Sequence, residues 1–215
     1  MSVGIAGRIF AACIAAVAWT GLLMQLSSTF SANGSVLRSL WIIFAFFTIT
    51  TNLLVAVVFT CVAIDRGVLR SERIVTGTML SIVMVGVVNA LLLWGALELS
   101  GGSALVDKLV HVATPVLVPL FWIFFVRKGN LTWRDPLLWA IYPLAYLAYG
   151  MARGLATGKY AYPFLNVLAL GWQRTALNAF FIAVAFMVSG LAIVWVDRVM
   201  GSRAPIGNRK TEQEA

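Results

Sequence analysis

Charge is scarce in this chain and histidine nearly missing: Asp and Glu together number 8, Lys and Arg 16, and His111 is the only imidazole in 215 residues. Charged residues make up 11% of the sequence, where a soluble domain carries roughly 25%. A water-facing surface of ordinary size cannot be built from that. One histidine excludes a bis-histidine haem, and with only Cys13 and Cys61 there is no His–Cys cluster at zinc spacing and no disulfide framework. Neither a metal nor a cofactor is expected. The two cysteines are expected to be small, buried, apolar residues. The G-x-S-x-G elbow of a common hydrolase fold is also missing.

What the chain has instead is hydrocarbon: 61% of its residues are hydrophobic and the mean hydropathy is +0.92. Six apolar runs come near the ~20 residues needed to cross ~30 Å of lipid. They are Ile9 to Leu26, Leu40 to Ile64, Ile74 to Leu97, Ser103 to Val126, Pro136 to Met151 and Ala176 to Val196. The expected fold is all-α, a six-helix transmembrane bundle over residues 1–200, with a disordered polar tail over 201–215. Arg8 before an alanine-rich run resembles a leader, but five spans follow, so it is taken as the first helix. A turn is expected at Ser100-Gly101-Gly102, with Ser103 capping the fourth helix.

Six spans put both termini on one side, with Arg8, Arg66, Arg70, Arg73, Arg127, Lys128, Arg134, Arg198, Arg203, Arg209 and Lys210. The other side carries Arg38, Lys108, Arg153, Lys159 and Arg174. That asymmetry places both termini in the cytoplasm, and it accounts for the pI of 10.1 without a nucleic acid partner. The external stretch from Arg153 to Arg174 is too interrupted to span and too aromatic for a solvated loop. Tyr160, Tyr162, Phe164 and Trp172 are expected at headgroup level, capping the outer mouth. No single seam of small residues stands out, so no oligomeric state is assigned.

Ionisable groups at membrane depth are costly and point to function. Asp107, His111, Pro115 and Pro119 recur every four residues on one helical face. Pro115 has no N–H for the His111 carbonyl, and Asp107 can reach the imidazole and fix its tautomer. The plainer alternative is a histidine that bonds neighbouring helices beside packing kinks. In the second span, Thr48, Thr51 and Asn52 share a stripe while Thr50 points elsewhere. Thr48 lies eight residues from Leu40 and His111 eight from Ser103, each ~12 Å in from the outer end. Thr48 is therefore the expected partner of His111.

Asn89, Tyr146, Tyr149 and Asn178 collect in the same outer half and suggest a polar pocket for an amphiphile, lipid being the natural candidate. A hydroxyl beside an imidazole with a carboxylate behind it is the minimum for nucleophilic attack on an ester. Asn52, Asn89 or a backbone N–H freed by a helix break would hold the oxyanion. A non-catalytic lipid-binding or transport protein is the competing expectation.

Four segments together resemble the androgen-induced membrane proteins of animals and their bacterial relatives. They are Phe47-Thr48-Ile49-Thr50-Thr51-Asn52-Leu53-Leu54; His111 with Pro115; Trp139-x-x-Tyr142-Pro143-x-x-Tyr146; and Tyr160-Ala161-Tyr162-Pro163-Phe164-Leu165. The resemblance implies a six-helix hydrolase of fatty acid esters of hydroxy fatty acids, in a bacterial plasma membrane. It also implies a catalytic threonine on the second helix, a catalytic histidine on the fourth, and Trp139 among the residues lining the substrate. Those roles fall on Thr48 and His111 when the aromatic-x-threonine pattern is matched, with Thr51 as the alternative nucleophile. The spacing departs from the animal pattern, in which the asparagine follows the threonine by three residues; Asn52 is four from Thr48. Matching on the asparagine would select Ile49, which has no hydroxyl.

Overall fold

The computed structural model describes residues 1, 3–93 and 102–202, and among them the backbone is helix and turn with no strand. In order come α1 (Ile5–Asn33), α2 (Val36–Ile43), α3 (Phe47–Ala63), α4 (Glu72–Val88), α5 (Gly102–Lys108), α6 (Thr114–Phe125), α7 (Asp135–Thr157) and α8 (Val167–Ser202). A π-turn, Asn89–Leu93, prolongs α4, and another, Leu109–Ala113, joins α5 to α6. The turn expected at Ser100 and Gly101, the end of the third span at Leu97 and the tail past Ser202 lie outside the described residues. Gly201 and Ser202, expected in the tail, belong to α8.

Four stretches are long and apolar enough to cross a bilayer: Ile5–Asn33, Glu72–Leu92, Ala104–Phe125 and Val167–Ser202. The pair α2 and α3 makes a fifth if counted together. The chain is thus a helical integral membrane protein. The expected run from Pro136 to Met151 is the body of α7, which continues to Thr157; its tyrosines and prolines leave it outside the apolar set.

The second expected span is not one helix. Its chain turns by 100° between Ile43 and Phe47, so α2 lies across the end of the bundle and only α3 runs through it. No proline or glycine marks the break, and its backbone groups find partners in other segments. Ala45 O accepts a hydrogen bond from the Tyr146 hydroxyl at 2.6 Å, and Thr48 N–H donates to the Tyr162 hydroxyl at 3.4 Å. Irregular backbone inside a membrane protein survives only where such partners are supplied.

Small side chains on α1, Ala11, Ala15 and Ala18, let it pack closely on Val55, Val58 and Phe59 of α3. On the other side of the bundle Leu80 and Met84 of α4 meet Trp139 of α7 and Phe186 and Val194 of α8. α8 turns Phe180, Phe181, Val188 and Trp195 outward, which in lipid is no penalty. At one end Arg70 donates to Met1 O, Asn130 to Glu72, and the Gly129 and Leu131 N–H groups to Asp197 Oδ2. The start of α1, the end of α8 and both short basic links meet there. Cys13, expected buried, is exposed on the outer face of α1, and Cys61 is half-buried.

Candidate active site

At the opposite end the helix break sets the first turn of α3 against the π-turn that carries His111. Thr48, 7% exposed, is the second residue of α3, and its Oγ1 lies 3.1 Å from His111 Nε2. On the far side of the ring, His111 Nδ1 lies 2.7 Å from Asp107 Oδ1, one helical turn earlier. An ionised carboxylate can only accept, so Nδ1 carries the proton and Nε2 is left as the acceptor for the Thr48 hydroxyl. Hydroxyl, imidazole and carboxylate form one line.

The π-turn makes this line possible. Its wider loop loosens the ladder and leaves Leu109 O and Val110 O within 3.3 and 3.4 Å of the Thr114 hydroxyl oxygen. Asn52, fully buried, donates to Val110 O at 3.1 Å and to Thr48 O at 2.9 Å, and its own Oδ1 accepts from Thr114 at 2.7 Å. One side chain ties the backbone before His111 to the backbone of Thr48. Gly86 completes the fit: a Cβ there would stand 2.8 Å from Pro115 Cβ, so only glycine lets α4 approach this turn.

Asn52 is therefore not an oxyanion donor, because both hydrogens of its amide are spent on carbonyls. It is a positioning residue. Asn52→Leu removes three buried hydrogen bonds, each contributing about 0.5–1.5 kcal/mol. The expected outcome is a melting temperature lower by several degrees in detergent, with the Thr48–His111 contact loosened. An unchanged melting temperature would contradict this.

Thr51 has a different partner from Thr48. Its hydroxyl pairs with Tyr142 at 3.1 Å, and Tyr142 also donates to Thr50 at 2.9 Å, so the imidazole of His111 faces Thr48 and not Thr51. A cavity of about 200 Å³ opens from the Thr48–His111 pair, between α4, α7 and α8. Asn89 and Tyr146 line it beside Val85, Leu147, Ala183 and Phe186. Its wall is almost wholly hydrocarbon, with the polar line at one end.

Three expected lining residues are elsewhere. Tyr149 is exposed and accepts from Arg153 at 2.8 Å, and Asn178 holds Phe164 O at 2.9 Å. Trp139 belongs to the opposite end, where its indole donates to Arg73 O at 3.0 Å and its ring fills the space over Gly77. The aromatics expected at headgroup level divide likewise: Trp172 is exposed, whereas Tyr162 is buried and, with Phe164, lines the cavity. Tyr162 and Thr114 are the residues that sequence reasoning missed. Tyr162 had been placed with the interfacial aromatics, and Thr114 has only its position beside Pro115 to mark it.

Fold and site together define a helical integral membrane protein whose apolar cavity ends in a hydroxyl–imidazole–carboxylate line. Compared with family models, curated proteins and solved structures, the chain matches none of them.

Proposed function

We propose that the protein is a membrane-embedded lipid ester hydrolase with Thr48 as nucleophile, His111 as general base and Asp107 as its orienting carboxylate. The observation that carries this reading is the 3.1 Å contact of Thr48 Oγ1 with His111 Nε2, backed by Asp107 at 2.7 Å, at the end of a hydrocarbon-lined cavity. A chain of methylenes fits such a wall, and the carbonyl of an ester stops at the polar end.

The chemistry follows from the tautomer. His111 Nε2 takes the hydroxyl proton as Thr48 Oγ1 attacks the carbonyl carbon, and the carbonyl electron pair moves onto its oxygen. Collapse expels the alcohol, which leaves with the proton from Nε2, and an acyl-threonine remains. Water then attacks with the same base, the acid departs, and Thr48 regains its proton. A fatty acid ester of a hydroxy fatty acid suits the site, since both halves are acyl chains that stay in lipid. In this reading α7 and the bent pair complete six spans, both termini face the cytoplasm of a bacterial plasma membrane, and the site opens toward the outer leaflet. α2, with Leu37 and Trp41 exposed, lies along the interface.

The test is covalent. A fluorophosphonate carrying a long alkyl chain is expected to label the purified wild type and Thr51→Ala, and to leave Thr48→Ala unlabelled. Labelling of Thr48→Ala at the wild-type rate would refute the hydrolase reading and leave a lipid-binding or transport protein.

A further inference from the structure

We infer that the Tyr162 hydroxyl and the backbone N–H of Thr48 together form the oxyanion hole of this site, which makes Tyr162 a catalytic residue; the inference rests on the hydrolase reading above. Three observations place it there. Thr48 is the second residue of α3, so its N–H belongs to the first turn, where amide hydrogens have no acceptor within the helix and the positive end of the dipole lies. That N–H is directed at the Tyr162 oxygen over 3.4 Å, a long bond that a better acceptor can replace. Tyr162, Thr48 and His111 line the same cavity.

The phenol is well suited to donate. In its contact with Thr48 it acts as acceptor, so its own proton remains for a group in the cavity. Burial raises its pKa above the usual phenol range, outweighing the hydrogen bonding with Thr48, Phe47 and Tyr146 that lowers it, and the proton stays on. The ring is fixed: it stacks on Phe164 at 5.1 Å and meets Phe46 edge-on at 6.1 Å. A donor held before the reaction costs no reorganisation as charge develops.

Attack by Thr48 Oγ1 creates the negative oxygen on the carbon bonded to that same residue. The nucleophile's own N–H therefore lies one side chain away from the oxyanion, as in serine proteases. The tyrosine gives a hydrogen bond and keeps its proton, so the proton count of the cycle is unchanged. Asn52 is excluded from the role, and Asn89, which also lines the cavity, is the comparison.

The experiment is Tyr162→Phe, which keeps the ring and removes only the hydroxyl, measured beside Thr48→Ala and Asn89→Leu on a branched fatty acid ester in detergent micelles. The expected result is a fall in kcat of about 10²-fold with KM within about threefold, because one oxyanion donor is lost while Thr48 N–H remains. The rate constant for fluorophosphonate labelling should fall in parallel, since that reaction also builds charge on the oxygen. Wild-type kcat in Tyr162→Phe with an inactive Thr48→Ala overturns the inference and leaves the hydrolase intact. So does a large loss confined to Asn89→Leu. Full turnover in Thr48→Ala removes both readings.

Discussion

Thr48→Ala and His111→Ala are each expected to lower kcat/KM for a branched fatty acid ester by more than about 10³-fold, which is about 4 kcal/mol of transition-state stabilisation. The magnitude follows from the arrangement. His111 has one acceptor nitrogen, its other nitrogen being occupied by Asp107, and that acceptor faces Thr48 at 3.1 Å. Removing either partner leaves no nucleophile or no base, so the double variant should be scarcely worse than either single one. Groups that act as a unit are non-additive in this way. Thr48→Ser should keep activity within about tenfold, because a primary alcohol at the same position is less crowded although freer to rotate. Additive losses, or wild-type turnover in either alanine variant, would count against the assignment.

The two residues were legible in the sequence, but the route that paired them was not sound in all its parts. Counting from Leu40 put Thr48 about two turns inside a straight second helix; the bend of 100° makes Thr48 part of a first turn instead. The pair meets because a helix begins at Phe47 and a π-turn widens at Leu109–Ala113; Pro115 marks the second by denying the His111 carbonyl its helical N–H, but no proline or glycine marks the first. The break is stabilised from a distance, by phenols of Tyr146 and Tyr162 that lie 101 and 114 residues from their partners. Intervals of four showed Asp107 and His111 on one face because that relation is local. Asn52 was placed on the right stripe, yet its role depends on Val110 O and Thr114, which its spacing could not reveal. Trp139 illustrates the opposite failure: a motif groups it with Tyr146, but seven residues of helix separate their levels by ~10 Å, and the tryptophan belongs to the far end.

Asp107→Asn carries the second large effect, an expected fall in kcat of about 10²-fold with KM within about threefold. A carboxylate accepts only, and so dictates that the His111 proton sits on Nδ1. A carboxamide can present either its oxygen or its NH2 to that nitrogen. When the NH2 turns inward, the proton moves to Nε2, the nitrogen facing Thr48, and the base can no longer accept from the hydroxyl. The carboxylate also balances the imidazolium that forms once the Thr48 proton has moved, and the amide lacks that charge. Asp107 is 34% exposed on its side chain, so water shares the task and the loss should fall at the lower end of what a buried triad carboxylate shows. Because the substitution leaves shape and the α3 contacts intact, melting should be nearly unchanged, which separates a chemical role from a structural one. A variant with normal kcat would reduce Asp107 to a surface partner of His111 and the site to a dyad; one that loses stability and activity together would make the contact a helix-packing bond.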